Sequence, residues 1–469
     1  MRRLSFLLAF SLVGCVPAVS PSVPVLGGVS VPAALTTANA AVRPRENVVL
    51  PDKWWQSFHN PALDRLVEQA LAHNPGLDEA RNRLLEAQAQ VFKSRSLLYP
   101  HVNSGGAIIH TRISRNGPTE PYSGVTANLA TLFPLLVNYD LDLWGRDDAL
   151  IQASEASEEI TRARYRESAL MLSSAVIKTY FALHSAKELV ERQTRIVQLN
   201  EERMKLLDTS FQTGIGPKPP VLTSQTQWHE ARNELEKLQR QLASLNYALY
   251  ELIGKSPEDT LTPTDPSLPD QFPLPARVDL NLVSQRPDVQ AALWNIKRNE
   301  HLEKAARAAF YPNINLVGLM GFNSIGISDL VTPAGGTYAY GPAFDLPIFE
   351  GGALEGQLHA TEAARNSAID AYNHALLVAV REIADGLSTM KHRRERLEEI
   401  SAAVTAKTAE TEIDQKKFGT GISGKLPYLE ALIRLESEQM QKTEESLDWL
   451  NSITDTATAL GGGFGGWAS

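Results

Sequence analysis

The sequence has very little cysteine, no excess of basic charge and no long apolar run. Its single cysteine, Cys15, among 469 residues excludes an internal disulfide framework and any metal site built from several thiolates. The net charge of −9 argues against a surface that neutralises nucleic-acid phosphates, because such a surface needs clustered Lys and Arg. We therefore expect no nucleic-acid partner. The hydrophobic share of 43% is enough for a buried core.

The first residues predict where the chain is sent. Two arginines precede an apolar run over residues 4–13, an order typical of a secretory signal. As a helix this run would extend only about 15 Å, so we expect cleavage and not a permanent transmembrane helix. The run ends at Gly14 and Cys15, which resembles a bacterial lipobox, where the cysteine sulfur receives diacylglycerol. By that resemblance residues 1–14 are a signal peptide, Cys15 is lipidated, and Val16 in place of aspartate directs the lipoprotein to the outer membrane.

An internal repeat organises the rest of the chain. The stretch from Pro75 to Pro100 corresponds to the stretch from Pro287 to Pro312. Further on, Phe211 corresponds to Phe418 and Gly254 to Gly461, at one constant offset. The mature chain is therefore predicted to consist of two related halves. The expected divisions are a lipid anchor with an N-terminal tether (15–50), a first repeat (51–254), a linker (255–285), a second repeat (286–461) and a flexible tail (462–469).

Two proline-free stretches, which begin after Pro134 and Pro347, are rich in Ala, Leu, Glu, Gln and Arg and predict long helices. Each stretch carries an apolar seam with a period of seven residues, which predicts helices packed side by side with a shallow supercoil. A helix of about 65 residues would extend roughly 100 Å. The two seams are Val176, Leu183, Val190, Val197, Met204, Phe211 and Ile383, Met390, Leu397, Val404, Thr411, Phe418.

Glycines near 214–216 and 419–421 are predicted to end these helices, and shorter helices return from them. Helical hairpins are thus expected over 145–254 and 352–461. A phosphate-binding loop is a poor interpretation of these glycines, because neither group follows a strand within a βαβ unit.

Alternating apolar and polar residues predict two β-hairpins, near 101–143 and near 313–349. Strands in a membrane must close into a barrel of at least about eight, because open edges leave amides unsatisfied in lipid. Four strands are too few, so a membrane role requires several copies of the chain. A soluble sheet with one side facing water stays open as the alternative.

Several motifs together resemble the TolC family of outer-membrane efflux proteins, specifically the lipoprotein (NodT-like) branch that serves tripartite RND pumps. The motifs are Trp54-Trp55-Gln56-Ser57-Phe58, Asn60-Pro61-Ala62-Leu63, Asp140-Leu141-Asp142-Leu143-Trp144-Gly145-Arg146, Arg286-Pro287-Asp288-Val289, Phe310-Tyr311-Pro312 and Phe344-Asp345-Leu346-Pro347-Ile348-Phe349-Glu350-Gly351-Gly352. The resemblance implies a mainly α fold with a β-barrel portion: a homotrimer with a 12-stranded barrel in outer-membrane lipid, a helical tunnel through the periplasm and an equatorial belt that includes the linker. It also implies passive export of small molecules, with a periplasmic adaptor and an inner-membrane RND pump as partners.

The same resemblance assigns roles to the ends of the long helices. The hairpin tips would dock onto the adaptor, and charged residues near the second tip would narrow the pore. For the charged residues, simple solvation of a helix end is an equally good explanation. The tip candidates are Phe211, Gly214, Gly216, Phe418, Gly419 and Gly421, and the gate candidates are Asp414, Glu410 and Lys417.

No catalytic or metal-binding motif stands out, and no cofactor is expected. The sequence contains neither a His-Glu-x-x-His pair nor a Gly-x-Ser-x-Gly elbow. Paired carboxylates such as Glu158 and Glu159 are best explained as solvated helix faces. Two other functions stay open: a conduit for type I protein secretion, which would share the fold, and a periplasmic coiled-coil adaptor or scaffold, which would lack the β-hairpins.

Overall fold

The computed structural model describes residues 53–112, 114–116, 124–256, 272 and 280–463. The predicted signal peptide, Cys15, most of the tether and linker, and the tail beyond residue 463 lie outside this range. The elements in chain order are α1 (Pro61–His73), α2 (Pro75–Ser94), β1 (His101–Arg112), β2 (Thr126–Leu141), α3 (Arg146–Gln212), α4 (Lys218–Leu252), α5 (Leu280–Ser284), α6 (Pro287–Ala308), β3 (Asn313–Ile325), β4 (Gly336–Asp345), α7 (Ala353–Gly419) and α8 (Lys425–Ala459).

The helices repeat in length as well as in sequence. Helices α3 and α7 have 67 residues each, and α4 and α8 have 35 each. At about 1.5 Å per residue, each long helix extends roughly 100 Å. The predicted seams are buried at Val176, Leu183, Ile383 and Met390, whereas their last members are exposed. Across the part of the chain that the structure describes, no helix combines the length and apolar composition that a bilayer crossing requires.

The turns after the long helices use glycine for its left-handed backbone. Gly214 has φ 77° and Gly421 has φ 73°, a region that side chains with a Cβ avoid. The following amides, of Ile215 and Ile422, donate to carbonyls five residues back, the Schellman closure of a helix end. Gly419 is the last residue of α7, so Gly421 and not Gly419 forms the stop in the second repeat.

The described chain divides into two compact units. The first comprises Leu84–Thr161 and Ala292–Tyr372, and the second comprises residues 53–83, Arg162–Ala291 and 373–463. Both α3 and α7 contribute residues to each unit.

The first unit contains an antiparallel sheet in the order β1-β2-β3-β4. Four strands, two per repeat, agree with the sequence prediction. Strand β2 ends at Leu141, two residues before the predicted boundary, because Asp142 accepts a hydrogen bond from the Asp148 amide at 2.8 Å and so begins α3. Strand β4 ends at Asp345, before Pro347.

Two prolines lie inside strands, and each has a structural explanation. Pro134 is in the inner strand β2, where the pairing with both neighbours shifts register, so the missing amide falls at a bulge. Pro342 is in β4, which pairs only with β3 among the described strands. An edge position tolerates the loss of one donor.

The second unit has an aromatic core formed by residues distant in sequence. Trp54, Trp55 and Phe58 are buried in a short 3-10 helix. The ring of Phe58 lies 5.1 Å from that of Phe181 and 5.2 Å from that of Phe272. These contacts hold the start of the described chain against α3.

Candidate functional site

One face of the sheet is apolar and exposed. Strand alternation places Tyr338, Tyr340 and Phe344 on the same side of β4, and all three side chains are exposed. Their pairing partners on β3 include Met320 and Ile314, which extend the same face. The rings of Tyr338 and Tyr340 stack 6.5 Å apart. An exposed apolar face with aromatic residues is the surface that a membrane β-structure presents to lipid.

The opposite face is small and polar toward one end. Asp140 pairs in register with Asn315, which in turn pairs with Ala343. Asn138 and Asp345 belong to the same end of this face. Among the described strands, β1 and β4 each pair along one edge only. The sheet therefore has an apolar side, an opposite side that is polar at one end, and two edges that are unpaired among the described strands.

The helical tips expose apolar residues in the turns themselves. Ile215 is 84% exposed and Ile422 is 78% exposed. The predicted tip residues Phe211 and Phe418 are less exposed, at 39% and 38%, and Phe418 stacks on Tyr428 with ring centroids 5.9 Å apart. The glycines set the turn: Gly214 and Gly421 supply positive φ, and a Cβ on Gly216 would lie 2.7 Å from the Ser210 Oγ.

Sequence reasoning did not single out Ile215 and Ile422, although a signal for them exists. The signal is an isoleucine at the same position of both turns, directly after the glycine that ends each long helix.

The gate candidates form two separate groups near the end of α7. Lys417 Nζ lies 3.4 Å from Asp414 Oδ1, and Asp414 is half-buried. Glu410 accepts a hydrogen bond from Lys407 at 2.7 Å and lies 3.9 Å from Arg434 of α8. The hydrogen bond from Lys407 lowers the pKa of the Glu410 carboxyl. The structure therefore brings Asp414 and Lys417 together and places Glu410 in a different ion-pair group.

Charged side chains line a cavity of 590 Å³ in the second unit, and Arg286 among them is buried. Arg286 binds Asp288 and Glu382, with Nη2 at 2.8 Å and 2.7 Å from their oxygens. Burial raises the pKa of the Glu167 carboxyl, and the charge of Asp288 raises it further. The described residues contain no group of three or more His, Cys, Asp or Glu arranged to hold a metal ion.

The described chain thus combines a four-stranded sheet, which has an apolar face and two edges unpaired among the described strands, with two long and two shorter returning helices. The chain matches the sequence profile of the outer membrane efflux protein family over residues 66–255 and 281–462. It belongs to that family. This membership confirms the family resemblance and the efflux class inferred from the motifs.

Relatives and solved structures agree with this assignment. The toluene efflux pump outer membrane protein TtgC of Pseudomonas putida is 29% identical over 413 residues, which cover 88% of this chain and 85% of TtgC. The multidrug resistance outer membrane protein MdtP of Escherichia coli K12 is 26% identical and covers 88% and 86%. The Campylobacter jejuni CmeC outer membrane channel has the same fold, with a TM-score of 0.86, 23% identity and 96% coverage of both chains.

Proposed function

We propose that this chain is the outer-membrane conduit of a tripartite efflux pump, through which small molecules leave passively. The observation that carries the proposal is the sheet with an apolar face and two unpaired edges. The names of the relatives support it, since TtgC and MdtP are described as toluene-efflux and multidrug-resistance proteins. The conduit itself needs no catalytic residues, because an inner-membrane RND pump would supply the energy.

A homotrimer is the assembly that fits the sheet. Four strands per copy give twelve in three copies, and closure of these strands satisfies the edges of β1 and β4. In that arrangement the face with Tyr338 and Tyr340 would contact lipid, and the face with Asp140 would line the pore. The helices would continue the pore as a tunnel through the periplasm.

The helical tips are the proposed docking surface for a periplasmic adaptor. Ile215 and Ile422 are the most exposed apolar side chains of the two turns, and exposed apolar residues of this kind mark protein contacts. Phe211 and Phe418 flank them at the ends of the long helices. Asp414, Glu410 and Lys417 lie close to the second tip, where they would narrow the pore.

A lipid on Cys15 completes the proposal, with residues 15–50 as a tether to the outer membrane. The test of this part is metabolic labelling with a radioactive fatty acid. Wild type should incorporate the label into the mature chain, and Cys15→Ser should not. Equal labelling of wild type and Cys15→Ser would contradict a lipid on Cys15.

The efflux function is tested by deletion of the gene in its host. We expect greater accumulation of a fluorescent cationic dye, and recovery when wild type is returned on a plasmid. The double variant Ile215→Asp, Ile422→Asp should reach the outer membrane as an oligomer and yet fail to restore efflux. Unchanged dye accumulation after deletion would contradict efflux, and full recovery with the tip variant would contradict docking through the tips.

A further inference from the structure

Fixed charges are rare in the sheet, and the two signs lie at opposite ends of it. Asp140 is near the end of β2 and Asp345 is the last residue of β4, and each of these strands leads into a long helix. Arg112 is the last residue of β1 and pairs with Thr126, the first residue of β2. Within the four strands, only Asp140, Asp345 and Arg112 carry a fixed charge. The positive charge therefore lies where β1 connects to β2 and β3 to β4, which we call the hairpin end.

Arg112 belongs to the apolar face of the sheet. One row of paired residues crosses all four strands, namely Gly106, Leu132, Phe322 and Gly336. Arg112 is six residues after Gly106, and Tyr338 is two residues after Gly336. Because side chains alternate between the two faces along a strand, Arg112 lies on the same face as Tyr338.

Other polar side chains lie close to Arg112. His110, two residues earlier on the same face, has its Nδ1 2.8 Å from the Asn128 Oδ1, and this hydrogen bond holds the imidazole. Arg115 lies in the turn after β1 and packs against Gly124, where a Cβ would be 2.9 Å from the Arg115 Nε. Both arginines are exposed, and Arg112 makes no ion pair with any residue that the structure describes.

The described residues of the hairpin end carry more positive than negative charge. Between the strands there, the structure describes residues 114–116, 124–125 and 326–335, and the one carboxylate in these ranges is Asp329. Asp329 lies between β3 and β4, whereas Arg112 and Arg115 lie at the end of β1, on the other side of β2. The two arginines therefore form a positive corner of the sheet at the β1 edge.

The apolar face has the height of a membrane, and Arg112 lies just beyond it. On β2 this face consists of Ala130, Leu132, Leu135, Val137, Tyr139 and Leu141. At about 3.3 Å per residue and a strand tilt of about 40°, this band is about 28 Å tall, close to the thickness of a hydrocarbon core. The next rows toward the hairpin end pair Asn128 with His110 and Thr126 with Arg112. Arg112 is therefore at the level of the polar head groups.

A cation at this level of the apolar face favours an anionic partner. An arginine on the lipid side destabilises a membrane sheet strongly at the midplane and little near the surface, where head groups contact it. A guanidinium presents paired N–H donors that match the oxygens of a phosphate. The helix end of the same face offers no cation: Phe344 is 80% exposed there, and Asp140 and Asp345 are negative and lie on the opposite face.

We propose that Arg112, with Arg115 beside it, binds a phosphate group of lipopolysaccharide, the phosphorylated glycolipid of the outer leaflet. The inference rests on the proposed function, which places the helices in the periplasm and therefore the hairpin end at the cell surface. Basic side chains at the edge of a membrane-embedded surface bind lipid head groups in this way. Each copy of the chain then carries one site for a lipid phosphate at its β1 edge.

The site is tested on the full-length protein in phosphatidylcholine nanodiscs, with and without added lipopolysaccharide. The measurement is the temperature at which the oligomer dissociates. Lipopolysaccharide should raise this temperature for wild type, and Arg112→Gln should lose most of the shift. Arg112→Lys should keep part of it, because lysine binds phosphate without the two-pronged geometry. Arg83→Gln, which removes an exposed guanidinium from α2, is the matched control and should keep the full shift.

The outcomes separate the lipid site from the proposed function. An equal shift in wild type and Arg112→Gln, in an oligomer inserted in the nanodisc, would overturn the site alone. A wild-type chain that stays monomeric would overturn the proposed function and the site with it.

Further arms identify the ligand. Lipopolysaccharide stripped of its lipid A phosphates, and inorganic phosphate without lipid, should each give little or no shift, and a full shift with either would overturn a lipid phosphate as the ligand. Asp329→Asn should leave the dissociation temperature and the shift near their wild-type values. If Arg112→Gln and Asp329→Asn instead lower the dissociation temperature equally without lipopolysaccharide and both keep the shift, Arg112 pairs with a neighbouring carboxylate and not with lipid.

Discussion

Asn74 and Arg286 are equivalent residues of the two repeats, and they bind equivalent backbone carbonyls. Asn74 Nδ2 donates to the Leu252 carbonyl at 2.9 Å, and Arg286 Nη1 donates to the Ala459 carbonyl at 2.8 Å. Leu252 and Ala459 are the last residues of α4 and α8, where helix carbonyls lack partners within the helix. An amide in one repeat and a guanidinium in the other therefore satisfy the same helix end.

Arg286 also makes contacts with two carboxylates, and the first prediction concerns these contacts. Its Nε and Nη2 hold both oxygens of Asp288, and Nη2 also reaches Glu382. Arg286→Lys keeps the charge but loses the two-pronged geometry, so we expect a loss of about 1–3 kcal/mol in stability. The melting temperature of the purified protein measures it. Arg381→Lys is the control: Arg381 is 64% exposed and pairs with Asp385, so its loss should be below about 1 kcal/mol. Equal effects would contradict a structural role for Arg286.

The second prediction concerns the bulge at Pro134. A Cβ on Gly321 would lie 2.3 Å from the Leu132 carbonyl oxygen and 2.8 Å from the Phe133 Cα. Gly321→Ala must therefore move backbone in an inner strand pair, at a cost of about 1–3 kcal/mol. Gly341→Ala in β4 is the control, because a Cβ there has nothing within 4 Å. We expect Gly321→Ala to reduce the amount of oligomer in outer-membrane fractions and Gly341→Ala to leave it unchanged. Normal assembly of both variants would show that the bulge can relax.

Periodicity and the repeat were enough to predict the helices, the four strands and the glycine turns. The seam through Val176 and Leu183 and the alternation around Tyr139 follow from local spacing, which one sequence displays directly. Contacts between distant residues are a different case. No pattern indicates that Glu410 lies 3.9 Å from Arg434, because that contact depends on how α7 and α8 align, whereas its pair with Lys407 follows from a spacing of three residues on one helix.

The third prediction follows from the raised pKa of Glu167. Burial and the charge of Asp288 disfavour its ionised form in the folded protein. The folded state therefore binds the Glu167 proton more tightly than the unfolded state does. As the pH rises from the ordinary glutamate pKa through the raised one, ionisation of Glu167 lowers the stability of the folded protein. Glu167→Gln cannot ionise, so the variant does not lose stability in this way as the pH rises. We expect the variant to melt a few degrees higher than wild type at pH 7 to 8, with a smaller difference at pH 4. A constant difference at all pH values would show that titration of Glu167 is not the cause.

The last prediction tests the gate candidate Asp414. Its ion pair with Lys417 is 3.4 Å long, lies within one helix and has a half-exposed lysine, so it contributes little to folding, about 0.5 kcal/mol or less. A change in transport caused by substitution of Asp414 would therefore reflect a change in the pore and not a loss of folded protein. If Asp414 narrows the periplasmic entrance, Asp414→Ala removes both charge and bulk there, and single-channel conductance in planar bilayers should rise. Leak of a large antibiotic into cells should rise with it.

Glu412→Ala is the matched control for this experiment, because Glu412 carries the same charge two residues away and is exposed. Lys417→Ala distinguishes the charge of Asp414 from its size, because it keeps the Asp414 side chain and removes the cation that pairs with it. If negative charge sets the barrier, this variant should shift selectivity toward cations, whereas a purely steric barrier predicts unchanged selectivity. Conductance that stays at the wild-type value in Asp414→Ala would remove this residue from the gate and leave the charges near the tip as the solvated end of α7.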